Sequence, residues 1–235
     1  MSVQRQEVYQ QAGVAATCRG YEEYMRMFAL PGGLEGKSIV DIAGGASSFA
    51  ADCRSRGINA YAVDPRYALD ADAMLADARQ EIETSTDKLR SLEHRFDWSY
   101  YGSLELHREG RLRSFARFKD DFTALGKEER YITGSLPALP FEDGSFDLAL
   151  CSHFLFLYAD QFGPEFHEQA VLEMVRVCRP GGEVRIYPLK SLRWEPYPHM
   201  EALFAAIRKA GAAPRLEQSD LPFIPGTSEL LVIEV

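Results

Sequence analysis

The feature that most constrains this chain is a strand that stops on a turn of small residues. Ser38-Ile39-Val40-Asp41-Ile42 is a short apolar run that ends in Ala43-Gly44-Gly45-Ala46-Ser47-Ser48. An apolar run bounded by turn residues reads as a strand buried on both faces, the pattern of a parallel sheet. A helix is expected over 46–56, with Phe49, Ala50 and Cys53 inward and Gly57 where a C-terminal cap belongs. Residues 60–63 form the second strand. Strand, helix and strand at this spacing make a βαβ unit, which closes right-handed over a parallel sheet.

The alternation is interrupted from Tyr67 to Arg130, where there is no strand signal. Met74, Leu75, Ala78, Ile82, Leu89 and Leu92 make one amphipathic stripe, and Leu104, Leu112, Phe115, Phe118, Phe122 and Leu125 make another. The alternation then resumes. Strands are expected at 131–133, 145–151 and 183–187, near Leu216 and at 229–235, with helices over 166–178 and 198–210. Residues from about 4 to 29 read as helix, because Val8, Ala12, Tyr21, Tyr24, Met25 and Phe28 recur at helical spacing, and Pro31-Gly32-Gly33 ends it. The expected fold is α/β, a doubly wound, seven-stranded, mostly parallel sheet. It forms one domain over 1–235, with an N-terminal helical cap at 1–30 and a helical insertion or lid at 67–130.

Composition narrows the function. A net charge of −9 argues against a nucleic-acid substrate, since phosphate binding leaves a basic footprint. Cys18, Cys53, Cys151 and Cys178 are scattered, so neither a metal site nor a disulfide framework is suggested, and free thiols in a reducing cytoplasm fit. The polar N-terminus does not read as a signal peptide, and no apolar run approaches the roughly 18 residues of a membrane span. The expected partner is a small molecule, with no nucleic acid and no membrane.

In an open α/β sheet, ligands sit outside the carboxyl ends of the strands. The small-residue turn after the first strand lets backbone approach a ligand closely. Asp64 closes the second strand, 23 residues after Asp41, where a carboxylate can accept both hydroxyls of a ribose. A dinucleotide would require G-x-G-x-x-G opening the helix, and this turn has only Gly44 and Gly45.

Four segments in order resemble the class I S-adenosylmethionine-dependent methyltransferases. They are Val40-Asp41-Ile42-Ala43-Gly44-Gly45-Ala46-Ser47, Tyr61-Ala62-Val63-Asp64, the loop and strand from Leu139 to Asp147, and Arg176-Val177-Cys178-Arg179-Pro180-Gly181-Gly182. The resemblance covers roughly 35–66 and 131–235. It implies S-adenosylmethionine as cofactor, with Gly44 and Gly45 near its methionine part and Asp64 on the ribose. Ser135 stands where many relatives carry an acid against the adenine amino group, with Phe141 in the same loop. The implied cofactor residues are Asp41, Ala43, Gly44, Gly45, Asp64, Ser135, Leu136, Phe141 and Cys151. The chain departs from the pattern at Ala43 and Ser47, where glycines are usual, and at Ser135.

Methyl transfer asks the protein to align the partners, exclude water and help remove a proton from a hydroxyl or amine. His153, just past the fourth strand, is the first candidate base, since histidine titrates near neutral pH; it reads equally as a packing histidine. Tyr187, ending the fifth strand, is the second. Trp98, Tyr100 and Tyr101 in the insertion are candidates to close over the sulfonium, or to pack the insertion helices together. Tyr24, with Tyr9 and Tyr21, is a candidate to cover the cofactor, or core. Arg66 is either a partner for a carboxylate or a solvated arginine. No cluster at metal-ligand spacing is present. The Asn/Asp-Pro-Pro-Tyr run of methylases acting on bases or amides is absent; Cys151-Ser152-His153-Phe154 stands there.

Three functions fit. The first is methyl transfer to a small-molecule O or N acceptor. The second is cyclisation of S-adenosylmethionine to azetidine-2-carboxylate with release of methylthioadenosine, which needs a closed pocket with no room for an acceptor. The third is a non-catalytic cofactor-binding regulator on the same fold.

Overall fold

The computed structural model describes residues 9, 11, 13–221 and 223–235. Its centre is a seven-stranded sheet built from β1 (Ser38–Ile42), β2 (Asn59–Val63), β3 (Tyr131–Ile132), β4 (Phe146–Ser152), β5 (Cys178–Tyr187), β6 (Ala213–Gln218) and β7 (Glu229–Glu234). The strand order is β3-β2-β1-β4-β5-β7-β6. The pairings β2–β3, β1–β2, β1–β4 and β4–β5 are parallel, and β7 alone runs against its neighbours β5 and β6. The chain therefore winds outward from β1 in one direction to β3, then returns to β4 and winds outward in the other. The reversal between β1 and β4 opens a crevice at their carboxyl ends.

The strands form because both faces of the sheet are covered. Along β1, Ile39 lies in one core layer while Val40 and Ile42 lie in the other; β4 repeats this with Leu148 and Leu150 against Ala149 and Cys151. The first layer is completed by α1 (Tyr21–Met27), α2 (Phe49–Arg54), α3 (Ala71–Ser91) and α4 (Leu104–Phe122), and the second by α5 (Pro164–Val177) and α6 (Met200–Lys209).

Two expectations are corrected. Among the described residues the N-terminal helix is the seven residues of α1; residues 14–20 are an irregular strap, and Val8 and Ala12 fall outside the described residues. The insertion is two helices, as its stripes require, but α4 is part of the main core. Phe118 and Phe122 are fully buried and meet Tyr131 of β3 edge-on at 5.5 and 5.1 Å. Among the described residues, no helix is long and apolar enough to cross a membrane.

Candidate functional site: two cavities at the carboxyl edge of the sheet

Two cavities lie at the ends of β1, β2 and β4. The first is a slot lined by Ala43 and Asp64 at the ends of β1 and β2, by Ser135, Leu136 and Leu139 after β3, and by Phe154 after β4. The second opens under α3 and α4 and is mostly apolar, with His107, His153, Phe96, Trp194 and Phe223 in its walls. Ala15 and Ala16 of the strap line both cavities and so divide them.

The strap is fastened by contacts from distant parts of the chain. Arg66 donates to the Val14 carbonyl, and the Ala15 N–H donates to the Tyr158 hydroxyl at 2.9 Å. The Arg19 carbonyl accepts from the Ser47 hydroxyl and the Ser48 N–H, at the start of α2. Arg66 thus ties the strap down while lining the slot.

The turn after β1 takes the form its small residues allow. Ala43 and Gly45 both have φ of +55°, and a Cβ on Gly45 would stand 3.3 Å from Ala16 Cα. Ala43 therefore occupies a left-handed position that favours glycine. Among the described residues four non-glycines have positive φ, and three of them, Ala43, His153 and Trp194, line the two cavities. Backbone held in such conformations collects at functional sites.

Asp64 accepts the Gly45 N–H at 3.0 Å through one oxygen and the Arg66 N–H at 2.8 Å through the other. Burial raises its carboxyl above the ordinary value, and the two backbone donors offset part of that. Each oxygen keeps a further lone pair for a ligand hydroxyl. Asp41 lies beneath the turn, and both its oxygens are within reach of the Tyr24 hydroxyl, at 3.1 and 3.0 Å. Burial pushes its carboxyl up to about 8.

Several expected site residues lie elsewhere. Tyr24 is buried against Phe49, with ring centres 4.4 Å apart, and supports Asp41 rather than lining a cavity. Phe141 packs edge-on against Phe146, behind the slot. Cys151 is fully buried in the sheet, where burial pushes its thiol up to about 12. Tyr187 lies beside His153, but its hydroxyl donates to the Leu221 carbonyl and meets Thr227, so it points into the C-terminal segment. Trp98, Tyr100 and Tyr101 are not in the wall of the second cavity. Trp98 and Tyr101 back its lining, edge-on to His107 and Phe223. Tyr100 packs against Tyr101 and Arg26.

His153 does line the second cavity, with its Nδ1 3.0 Å from the Ser152 hydroxyl. Burial and the charges of Arg19 and Arg111 lower its pKa well below the usual imidazole range, so the ring is neutral at pH 7. This corrects the expectation of a base titrating near neutrality. Sequence reasoning missed Arg19, His107 and Arg111. The latter two were hidden in a stripe read for its apolar positions.

The strand order, with β7 alone reversed at its place between β5 and β6, is decisive.

The chain has the class I methyltransferase fold.

Residues 110–186, from within α4 into β5, match the family described as methyltransferase domain. An uncharacterized protein of Methanocaldococcus jannaschii is 28% identical over 216 residues, spanning 92% of this chain and 93% of that one. A TehB-like SAM-dependent methyltransferase from Corynebacterium glutamicum is 16% identical, with a TM-score of 0.48 over 91% of this chain and 87% of that one. The magnesium protoporphyrin IX methyltransferase of Synechocystis, solved with bound SAM, is 15% identical, with a TM-score of 0.46 over 86% of this chain and 71% of that one.

Proposed function

We propose that this chain is an S-adenosylmethionine-dependent methyltransferase acting on a small-molecule O or N acceptor. The observation that carries the reading is the second, mostly apolar cavity, which adjoins the slot and has His153 in its wall. The slot's residues fit the nucleoside half of the cofactor. Leu136, Leu139 and Phe154 offer apolar faces to adenine, and Ser135 has a hydroxyl for its polar edge. Asp64 has lone pairs left for the ribose hydroxyls. When bound, S-adenosylmethionine supplies a methyl group made electrophilic by its sulfonium.

The chain's own part is alignment, exclusion of water and movement of one proton. The walls of the second cavity hold the acceptor. The strap and the insertion keep water out. The neutral His153 imidazole has a nitrogen able to accept the proton that the acceptor O–H or N–H gives up. Its weak basicity suits an acceptor whose proton grows acidic as the new bond forms.

Incubation with methyl-labelled cofactor and a metabolite extract tests the reading. The expected result is label in a small product, with S-adenosylhomocysteine formed in step. Methylthioadenosine appearing without any added acceptor would show cyclisation instead. Tight cofactor binding with no labelled product would sink the enzyme reading.

A further inference from the structure

The charges around the second cavity do not cancel locally. Glu23 is already fully engaged. It meets Arg111 at 2.8 Å, accepts the Tyr101 hydroxyl at 2.6 Å and accepts the Gly20 N–H at 3.1 Å. Burial alone would raise its carboxyl, but Arg111 and Arg19, together with the Tyr101 and Gly20 hydrogen bonds, outweigh burial and hold it below the ordinary carboxylate range. Glu81, at another part of the wall, has Lys88 and Arg66 as its neighbouring cations. Among the described residues Glu23 faces both Arg111 and Arg19, one negative charge for two positive ones. Arg19 is 9% exposed, lines the cavity and donates to the neutral Thr17 hydroxyl. Burial and the nearby Arg111 lower its pKa by more than Glu23 raises it, as befits a guanidinium short of negative charge.

His107 supplies an independent observation. The Arg111 guanidinium, which can only donate, lies 3.1 Å from His107 Nε2. Nε2 is therefore the acceptor. Burial and the two arginines push the ring's pKa down to about 2, so it carries one proton, and that proton sits on Nδ1. His107 is 4% exposed and lines the cavity, and its Nδ1 is buried with no partner among the described residues. A buried N–H without an acceptor is destabilising unless a ligand provides one. Around these two donors the walls are aromatic. Phe223 stacks on His107 at 5.5 Å and on Phe96 at 4.8 Å, and Trp194 meets Phe96 edge-on.

We propose that the second cavity takes an aromatic carboxylate, its oxygens received by the Arg19 guanidinium and the His107 Nδ1–H and its ring held among Phe96, Trp194 and Phe223. The inference rests on the methyltransferase reading for what is then done to that molecule; the anion site itself does not depend on it. The bound anion also offsets the Arg19 and Arg111 charges that depress His153, so an acidic guest makes that imidazole a better proton acceptor. Glu81 has a side-chain hydrogen bond with Gln11, and its Oε1, buried and without a hydrogen-bond partner among the described residues, is an acceptor for a hydroxyl or amine on the same guest.

Calorimetric titration of the full chain with benzoate, phenylacetate and the neutral benzamide tests this, with and without saturating S-adenosylhomocysteine. The carboxylates are expected to bind and benzamide to bind at least about tenfold more weakly. Arg19→Gln and His107→Phe should each weaken the carboxylates by about tenfold or more while leaving S-adenosylhomocysteine affinity within about threefold. Retained S-adenosylhomocysteine binding shows that a variant is folded, and if Arg19→Gln does not fold, His107→Phe decides. Equal binding of benzamide and benzoate overturns the proposal, as does carboxylate affinity unchanged in the folded variants. If instead Arg19→Gln keeps the wild-type circular-dichroism spectrum and melting transition but loses S-adenosylhomocysteine, the carboxylate that Arg19 serves is the cofactor's own, and the proposal fails. Failure of the wild type to bind S-adenosylhomocysteine while benzoate still binds would refute the methyltransferase reading alone.

Discussion

At the end of β1 the two oxygens of Asp41 face the Tyr24 hydroxyl, and among the described residues no salt bridge reaches them. Burial raises the folded-state carboxyl to about 8, against an unfolded value of about 3.9. A raised carboxyl means the folded chain binds the extra proton. Its contribution to stability is fully present below about pH 4 and is lost as pH rises toward about 8. Asp41→Asn keeps an acceptor for Tyr24 and does not titrate. Its stability relative to wild type should therefore improve between pH 4.5 and pH 9, by on the order of a few kcal/mol. Urea melts at several pH values read this directly, and a difference that stays flat with pH would contradict it. At the same scale the glycine turn and Asp64 were legible in the sequence because their meaning is local: a strand end, a small-residue turn, an acid at the next strand end. Arg19, His107 and Arg111 were not, because their roles come from contacts between residues about 90 positions apart, as in the Arg111–Cys18 hydrogen bond.

The elements show where periodicity misleads. Tyr21, Tyr24, Met25 and Phe28 do lie on a helix, but Gly20 starts it, its N–H donating to Glu23 three residues on. Before Gly20 the backbone is held by Arg66, Tyr158 and Ser47, partners no local pattern reveals. The insertion is likewise more than a lid. Phe118 is fully buried in the main core, so Phe118→Ala should cost about 3–5 kcal/mol. A loss under about 1 kcal/mol in a thermal melt would mean that α4 is not built into the core. Arg111 fastens α4 to α1 through Glu23 and to the strap through the Cys18 carbonyl. With both side chains of the ion pair about nine-tenths buried, Glu23→Gln strands a charge and should cost about 3–5 kcal/mol. Glu23→Gln with Arg111→Met should recover much of that loss, and a double-mutant cycle measures how much.

For the whole molecule, the sheet was readable because strands with apolar residues on both faces require cover on both, and helices supply it on each side. Strand order and the reversal of β7 were not readable from the residues, since pairing is a long-range choice. That order puts the ends of β1, β2 and β4 beside one another, and the strap divides the space above them into a slot and a cavity. The central claim is that the slot is an S-adenosylmethionine site with Asp64 at its mouth. Calorimetric titration of S-adenosylhomocysteine into wild type and Asp64→Ala tests it most directly. The account predicts one-to-one binding to wild type and a loss of about tenfold or more in the folded variant. Equal affinity in both, or no binding to wild type, would contradict it.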